Sequence, residues 1–203
     1  MKSTRLIAVF VGVLFLTATV TFATGSGLIR SFILAGNSDK TSLIMGVLLE
    51  IACGVSVVCI GVLMFPILKV FNNRLALGYI VFRIFECAMI IGSGMYLLLL
   101  LKPIWKHEMI IFLFTGLGGL IFSYLLYQSR LVPRALSLLG AVGYALLSVG
   151  VLLDLFGFFN MSSNAGMLIY IPGGLFELFL PVWLFIKGFN VSKSACEFTV
   201  ASR

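Results

Sequence analysis

Leu75 to Leu101 is an apolar stretch with two charges well inside it, Arg83 and Glu86. A hydrocarbon core about 30 Å thick is crossed by about 20 apolar residues in a helix, so this stretch is long enough to span. An unpaired charge at that depth costs at least about 2.5–3.5 kcal/mol on insertion scales. Residues three apart share a helix face, which places Arg83 and Glu86 on one side, toward protein rather than lipid. Glu50 and Glu177 lie at depth in other apolar stretches. The pattern predicts an all-α, polytopic membrane bundle closed around these four side chains.

Composition agrees. Hydrophobic residues make up 61% of the 203 and charged residues only 10%, against about 25% charged in a soluble domain. Mean hydropathy is +1.18. No linker or low-complexity tract divides the chain, so residues 1–203 read as one integral-membrane domain. The net charge of +7 comes from Lys and Arg scattered through short loops, without a basic run, and nucleic acid is not an expected partner. Cys53, Cys59, Cys87 and Cys196 form no C-x-x-C pair, so neither a disulfide framework nor a redox motif is expected.

Six spans are predicted, at about 6–24, 41–68, 75–101, 109–127, 135–156 and 167–186. The first has a basic start and a signal-like Thr21-Phe22-Ala23. Its apolar core exceeds the 7–15 residues typical of a signal peptide, so it is read as retained. Thr17, Thr21 and Thr24 share a face and are read as pointing into the bundle. Gly25 to Lys40 reads as a polar connection, with a turn at Gly36-Asn37-Ser38-Asp39 and a short interfacial helix over 28–34. In the second span, Ser42, Gly46, Glu50 and Gly54 recur every four residues, a small-residue stripe that lets a neighbour approach. Trp105 suits the membrane interface. Glycines at 116, 119, 140, 143 and 150 read as packing positions, and Asp154, near a helix end, as reaching water. Asn160-Met161-Ser162 matches a glycosylation sequon, which matters only in a eukaryotic secretory membrane. Pro172, Gly173 and Gly174 precede Glu177, and Pro181 follows. They predict a loosened or broken helix beside the acid.

With six spans both termini share a side. That side carries Lys2, Arg5, Lys69, Arg74, Arg130, Arg134, Lys187, Lys193 and Arg203, against Arg30, Lys40, Lys102 and Lys106 on the other. The excess places the termini in the cytoplasm and the protein in the cytoplasmic membrane.

Glu50, Glu86 and Glu177 outnumber Arg83, which stays protonated. Full ionisation would leave a net negative core. At least one acid is therefore expected to hold a proton, or to be neutralised by a bound cation or cationic ligand. The four side chains, with Tyr79, Asp154, Pro172, Gly173 and Gly174 as secondary members, are read either as a ligand or proton site or as a packing clamp. Carboxylate oxygens suit a hard cation, but Arg83 argues against a metal. His107, the one histidine, lies in a predicted loop, which excludes bis-histidine haem ligation, multi-histidine zinc and an in-membrane Ser–His pair. No catalytic residue and no cofactor is assigned.

Three stretches then look familiar together: Leu75-Ala76-Leu77-Gly78-Tyr79 through Arg83-Ile84-Phe85-Glu86, Ser129-Arg130-Leu131-Val132-Pro133-Arg134, and Phe176-Glu177 through Trp183 to Phe189. With Glu50 in the second span, their order and spacing resemble the bacterial multi-pass family called domain of unknown function 4386. The resemblance covers nearly the whole chain. It implies the six-helix fold and weight on Arg83, Glu86 and Glu177, and it brings no activity with it.

The expected partners are the lipid bilayer and a small solute or proton, bound or translocated in a polar intramembrane pocket. Two alternatives stand beside that reading. One is a non-catalytic accessory or stress-related protein whose charges only hold the bundle. The other is a lipid-modifying intramembrane enzyme.

Overall fold

The structure, a computed structural model, describes residues 2–34, 40–101 and 107–190. The turn at Gly36–Asp39, Trp105 with Lys102 and Lys106, and the tail with Cys196 lie outside the described residues. Six helices follow in chain order: α1 Lys2–Leu34, α2 Lys40–Leu68, α3 Asn73–Leu100, α4 His107–Ser129, α5 Arg134–Leu155 and α6 Asn164–Ile186. No strand occurs among the described residues. All six helices are long and apolar enough to span a membrane, and the chain is a multi-pass membrane protein.

Each helix packs against its neighbours in sequence, and α6 returns to α1. The result is a closed ring of six antiparallel helices. Small residues set the spacing at several joints. A Cβ at Gly46 would lie 2.9 Å from the Gly25 carbonyl oxygen of α1, and one at Gly54 would lie 3.1 Å from Cys87 Sγ of α3. Side chains added at Gly116 or Gly119 would overlap Ser148 or the Tyr144 ring. At Gly143 a Cβ would overlap the backbone of Gly173, so α5 and α6 touch main chain to main chain there. That contact is available only to glycine.

Local chemistry ends the helices. Asn72 caps α3 by accepting from the Leu75 amide at 3.1 Å, and Ser163 caps α6 by accepting from the Gly166 amide at 3.1 Å. Gly157 and Gly188 take positive φ just beyond α5 and α6, the left-handed conformation that closes many helices. The Asn190 amide then donates to the Leu131 carbonyl at 2.9 Å, tying the end of α6 to the α4–α5 connection. Lys2, Ile186 and that connection lie on one side of the ring, the terminal face; Leu34, Lys40, Leu100, His107 and the α5–α6 connection lie on the far face.

Several expectations are corrected. Helix α1 does not stop at Thr24 but runs on to Leu34. Ile29 and Phe32 are buried with Leu43, Val47 and Leu97, and this packing overrides the Gly-Ser-Gly signal. Thr24 is exposed, and the Thr21 and Thr24 hydroxyls donate to carbonyls of their own helix. The inward threonine is Thr19. His107 is the first residue of α4 rather than part of a loop. Asp154 is buried at 6% exposure, and its Oδ2 accepts from the Met161 amide at 2.6 Å, so it closes the α5–α6 connection instead of reaching water. Helix α6 stays helical through both Pro172 and Pro181.

Candidate intramembrane site

On α3 the positions Tyr79, Arg83, Glu86 and Ile90 fall on one stripe, and that stripe faces the middle of the ring. There the helices leave a cavity of about 250 Å3. Every helix contributes to its wall: Thr19, Cys53, Arg83, Thr115, Tyr144 and Glu177 come from α1 to α6 in turn.

Two carboxylates enter this space and are held differently. Arg83 Nη1 donates to Glu86 Oε2 at 2.6 Å, with both side chains 5% exposed. The Thr115 hydroxyl of α4 donates to Glu86 Oε1 at 2.7 Å, so both oxygens of Glu86 are engaged. The guanidinium lies 5.2 Å from the Tyr79 ring centroid, within cation–π range, and Tyr79 stacks on Phe122 at 4.9 Å. Charge-assisted bonds of this kind are roughly twice as strong as neutral ones. Glu177 has only hydroxyl partners. Tyr144 donates to Oε1 at 3.0 Å, and the single Thr19 proton is shared between the Phe15 carbonyl at 3.0 Å and Oε2 at 3.4 Å. Among the described residues no Lys or Arg forms an ion pair with Glu177.

The cavity has unequal ends. Toward the terminal face lie Tyr79, Phe122 and Phe15 in stacked contact, with fully buried Met64, Leu68, Ala76, Leu125 and Leu126 packed in the same core. Toward the far face, Phe22 meets Phe112 edge-on at 5.5 Å, and Phe112 meets Tyr170 at 5.4 Å. Three rings from α1, α4 and α6 line that end, and the exposed Ala23 and Gly174 stand in the same wall.

A family model described as "Domain of unknown function (DUF4386)" matches residues 7–188. The chain belongs to the DUF4386 family. No curated protein and no solved structure matches it.

In this DUF4386 protein the sequence-predicted residues divide into groups. Arg83, Glu86 and Glu177 line one cavity with Tyr79, Gly173 and Gly174. Pro172 lies outside the wall, and its carbonyl carbon sits against Gly143. Asp154 serves the α5–α6 connection, away from the cavity. Glu50 is buried at 4% exposure but is not part of the wall. It shares the face of α2 that carries Cys53 and Val57, one turn nearer the far face, where Gly25 of the extended α1 covers it.

Thr19, Thr115 and Tyr144, which hold the two acids, were not singled out by sequence. Thr115 and Tyr144 are isolated hydroxyls in apolar runs, and that is the signal that would find them: in lipid such a group needs a partner within the protein. Thr19 is one of four threonines between 17 and 24, and only its side of the helix sets it apart. The DUF4386 site thus combines a neutralised Arg–Glu pair, an acid held only by hydroxyls, and aromatic walls. It can hold a polar group on Glu177 while the remainder of a solute rests on apolar surface.

Proposed function

We propose that this protein binds a small solute within the ring, in a cytoplasmic membrane with both termini inside. The observation that carries the reading is a cavity of about 250 Å3 into which Glu177 projects with hydroxyl partners only. Intramembrane ionisable groups that face a cavity are functional candidates by default. The charge asymmetry of the connections supports the orientation.

The Arg83–Glu86–Thr115 group favours a second role beside this one. Arg83 Nη1 and the Thr115 hydroxyl engage both oxygens of Glu86 and link α3 to α4, as the accessory reading requires of its buried charges. We therefore assign that group to holding the ring and Glu177 to the solute. Exchange with the far side passes the Phe22–Phe112–Tyr170 rings and the exposed Ala23 and Gly174 beside them. Passage to the terminal side, and hence translocation, also requires the core beneath Tyr79 to repack.

Thermal melts of the purified protein against small amines, carboxylates and alcohols test the reading. A solute bound at 100 times its Kd adds about 2.7 kcal/mol of stability. At least one solute is expected to raise the Tm of the wild type. Gly173→Leu should abolish that rise, because Gly173 lines the cavity and a Cβ there meets only Gly143 at 3.9 Å. If no solute shifts the wild type, the cavity is a packing void and the accessory reading takes its place.

A further inference from the structure

We propose that the cavity selects small organic cations, with an ammonium-type nitrogen on the Glu177 carboxylate and an apolar body against the aromatic wall. The inference rests on the solute-binding reading above and names the solute's class.

Charge comes first. The cavity wall carries Arg83, Glu86 and Glu177. The 2.6 Å pair cancels Arg83 against Glu86, leaving Glu177 as the uncompensated group. A carboxylate has about four acceptor sites; the Tyr144 hydroxyl occupies one, and the Thr19 hydroxyl, whose proton is shared with the Phe15 carbonyl, partly occupies a second. A positive donor entering the cavity finds both free acceptor capacity and a counter-charge.

An anionic solute is disfavoured. Arg83 is the one basic side chain in the wall, its charge is matched by Glu86 at 2.6 Å, and an anion beside it would also face Glu177. A bare metal cation is also poorly served. Hard cations take six or more oxygens, or retain their waters, and much of this wall is aliphatic or aromatic.

The rings decide the rest. Phe15, Phe22, Phe112 and Tyr170 stand in the same wall as Glu177. Aromatic faces attract desolvated cations, and quaternary ammonium groups are commonly bound in this way. Size follows from volume. An engineered cavity of about 150 Å3 holds benzene, so by proportion this one, at about 250 Å3, holds a solute of about ten non-hydrogen atoms.

Three probes of about that size separate charge from shape: 4-phenylbutylammonium, its uncharged carbon isostere pentylbenzene, and 3-phenylpropanoate. Binding is measured by calorimetry on the detergent-purified full chain. The expected order places the cation first, at least roughly tenfold tighter than the isostere, equivalent to about 1.4 kcal/mol. Glu177→Gln should remove that preference while leaving the binding of the isostere unchanged. The wild-type comparison needs no variant, so the proposal stays testable even if the substitution fails to fold. Equal binding of cation and isostere, or a preference for the carboxylate, overturns the cation class and leaves the solute-binding reading standing. Binding of none of the three overturns both.

Discussion

Gly143 and Glu177 behave oppositely under substitution because one is a point of contact and the other a point of function. Gly143→Ala drives a methyl group into the Gly173 backbone. Overpacking of this kind costs about 1–3 kcal/mol. Gly92→Ala meets nothing within 4 Å and is expected to be neutral, or stabilising by about 0.5–1 kcal/mol, since alanine is the better helix former. Denaturation of the two variants in detergent checks the contrast. Arg83→Leu leaves Glu86 buried with Thr115 as its partner, and breaking a buried pair costs about 3–5 kcal/mol. Glu177→Gln retains an oxygen that accepts from Tyr144 and should cost about 1 kcal/mol. Equal losses in melts of the two variants would mean that Arg83 and Glu177 share one structural role. Sequence spacing alone was enough to pair Arg83 with Glu86, because an i, i+3 relation is local. It could not distinguish a paired acid from an unpaired one. That distinction depends on Thr115, Tyr144 and Thr19, which come from three other helices and reach the site only through the ring.

Helix α1 is where local signals and tertiary packing disagree most. Gly25-Ser26-Gly27 reads as a break, yet Gly25 faces α2 at close range, and Ile29 and Phe32 bury one turn and two turns beyond it. Ile29→Ala should therefore cost about 2–5 kcal/mol, as for a core residue. Ile33→Ala, on the lipid side at 38% exposure, should cost far less. Equal costs in denaturation would indicate that the end of α1 is not packed. The other five helices were legible to within a few residues at each end, because long apolar runs bounded by Asn, Pro and Gly leave few alternatives. The same missed extension hid the position of Glu50. Its place in the second apolar stretch puts it at depth, as for Glu177, but Gly25 of α1 covers it, and on α2 the cavity wall begins a turn further along, at Cys53. In α6 the two prolines predicted a break. The helix instead runs through both, with its backbone at Gly173 held against Gly143.

At the scale of the molecule, an even number of antiparallel helices puts the connections on alternate sides. Reporter fusions after Asn73 and Ser129 are expected to read cytoplasmic, and a fusion after Asn160 external. A fully inverted pattern would reverse the orientation and keep the ring; a mixed pattern would contradict the ring itself. Five of the six joints between helices join chain neighbours, and the sixth, between α6 and α1, is bridged by no connection among the described residues. Across that joint the Thr19 hydroxyl meets Glu177, and Phe185 lies against Gly12. During synthesis α6 is the last of these helices to leave the ribosome, so α1 waits in the bilayer with one flank unmatched. Until α6 arrives the cavity is an open trough, and Glu177 has yet to enter the membrane. The acid that defines the site is thus delivered by the segment that completes the wall, and a nascent chain halted before α6 has neither a closed cavity nor a solute to hold.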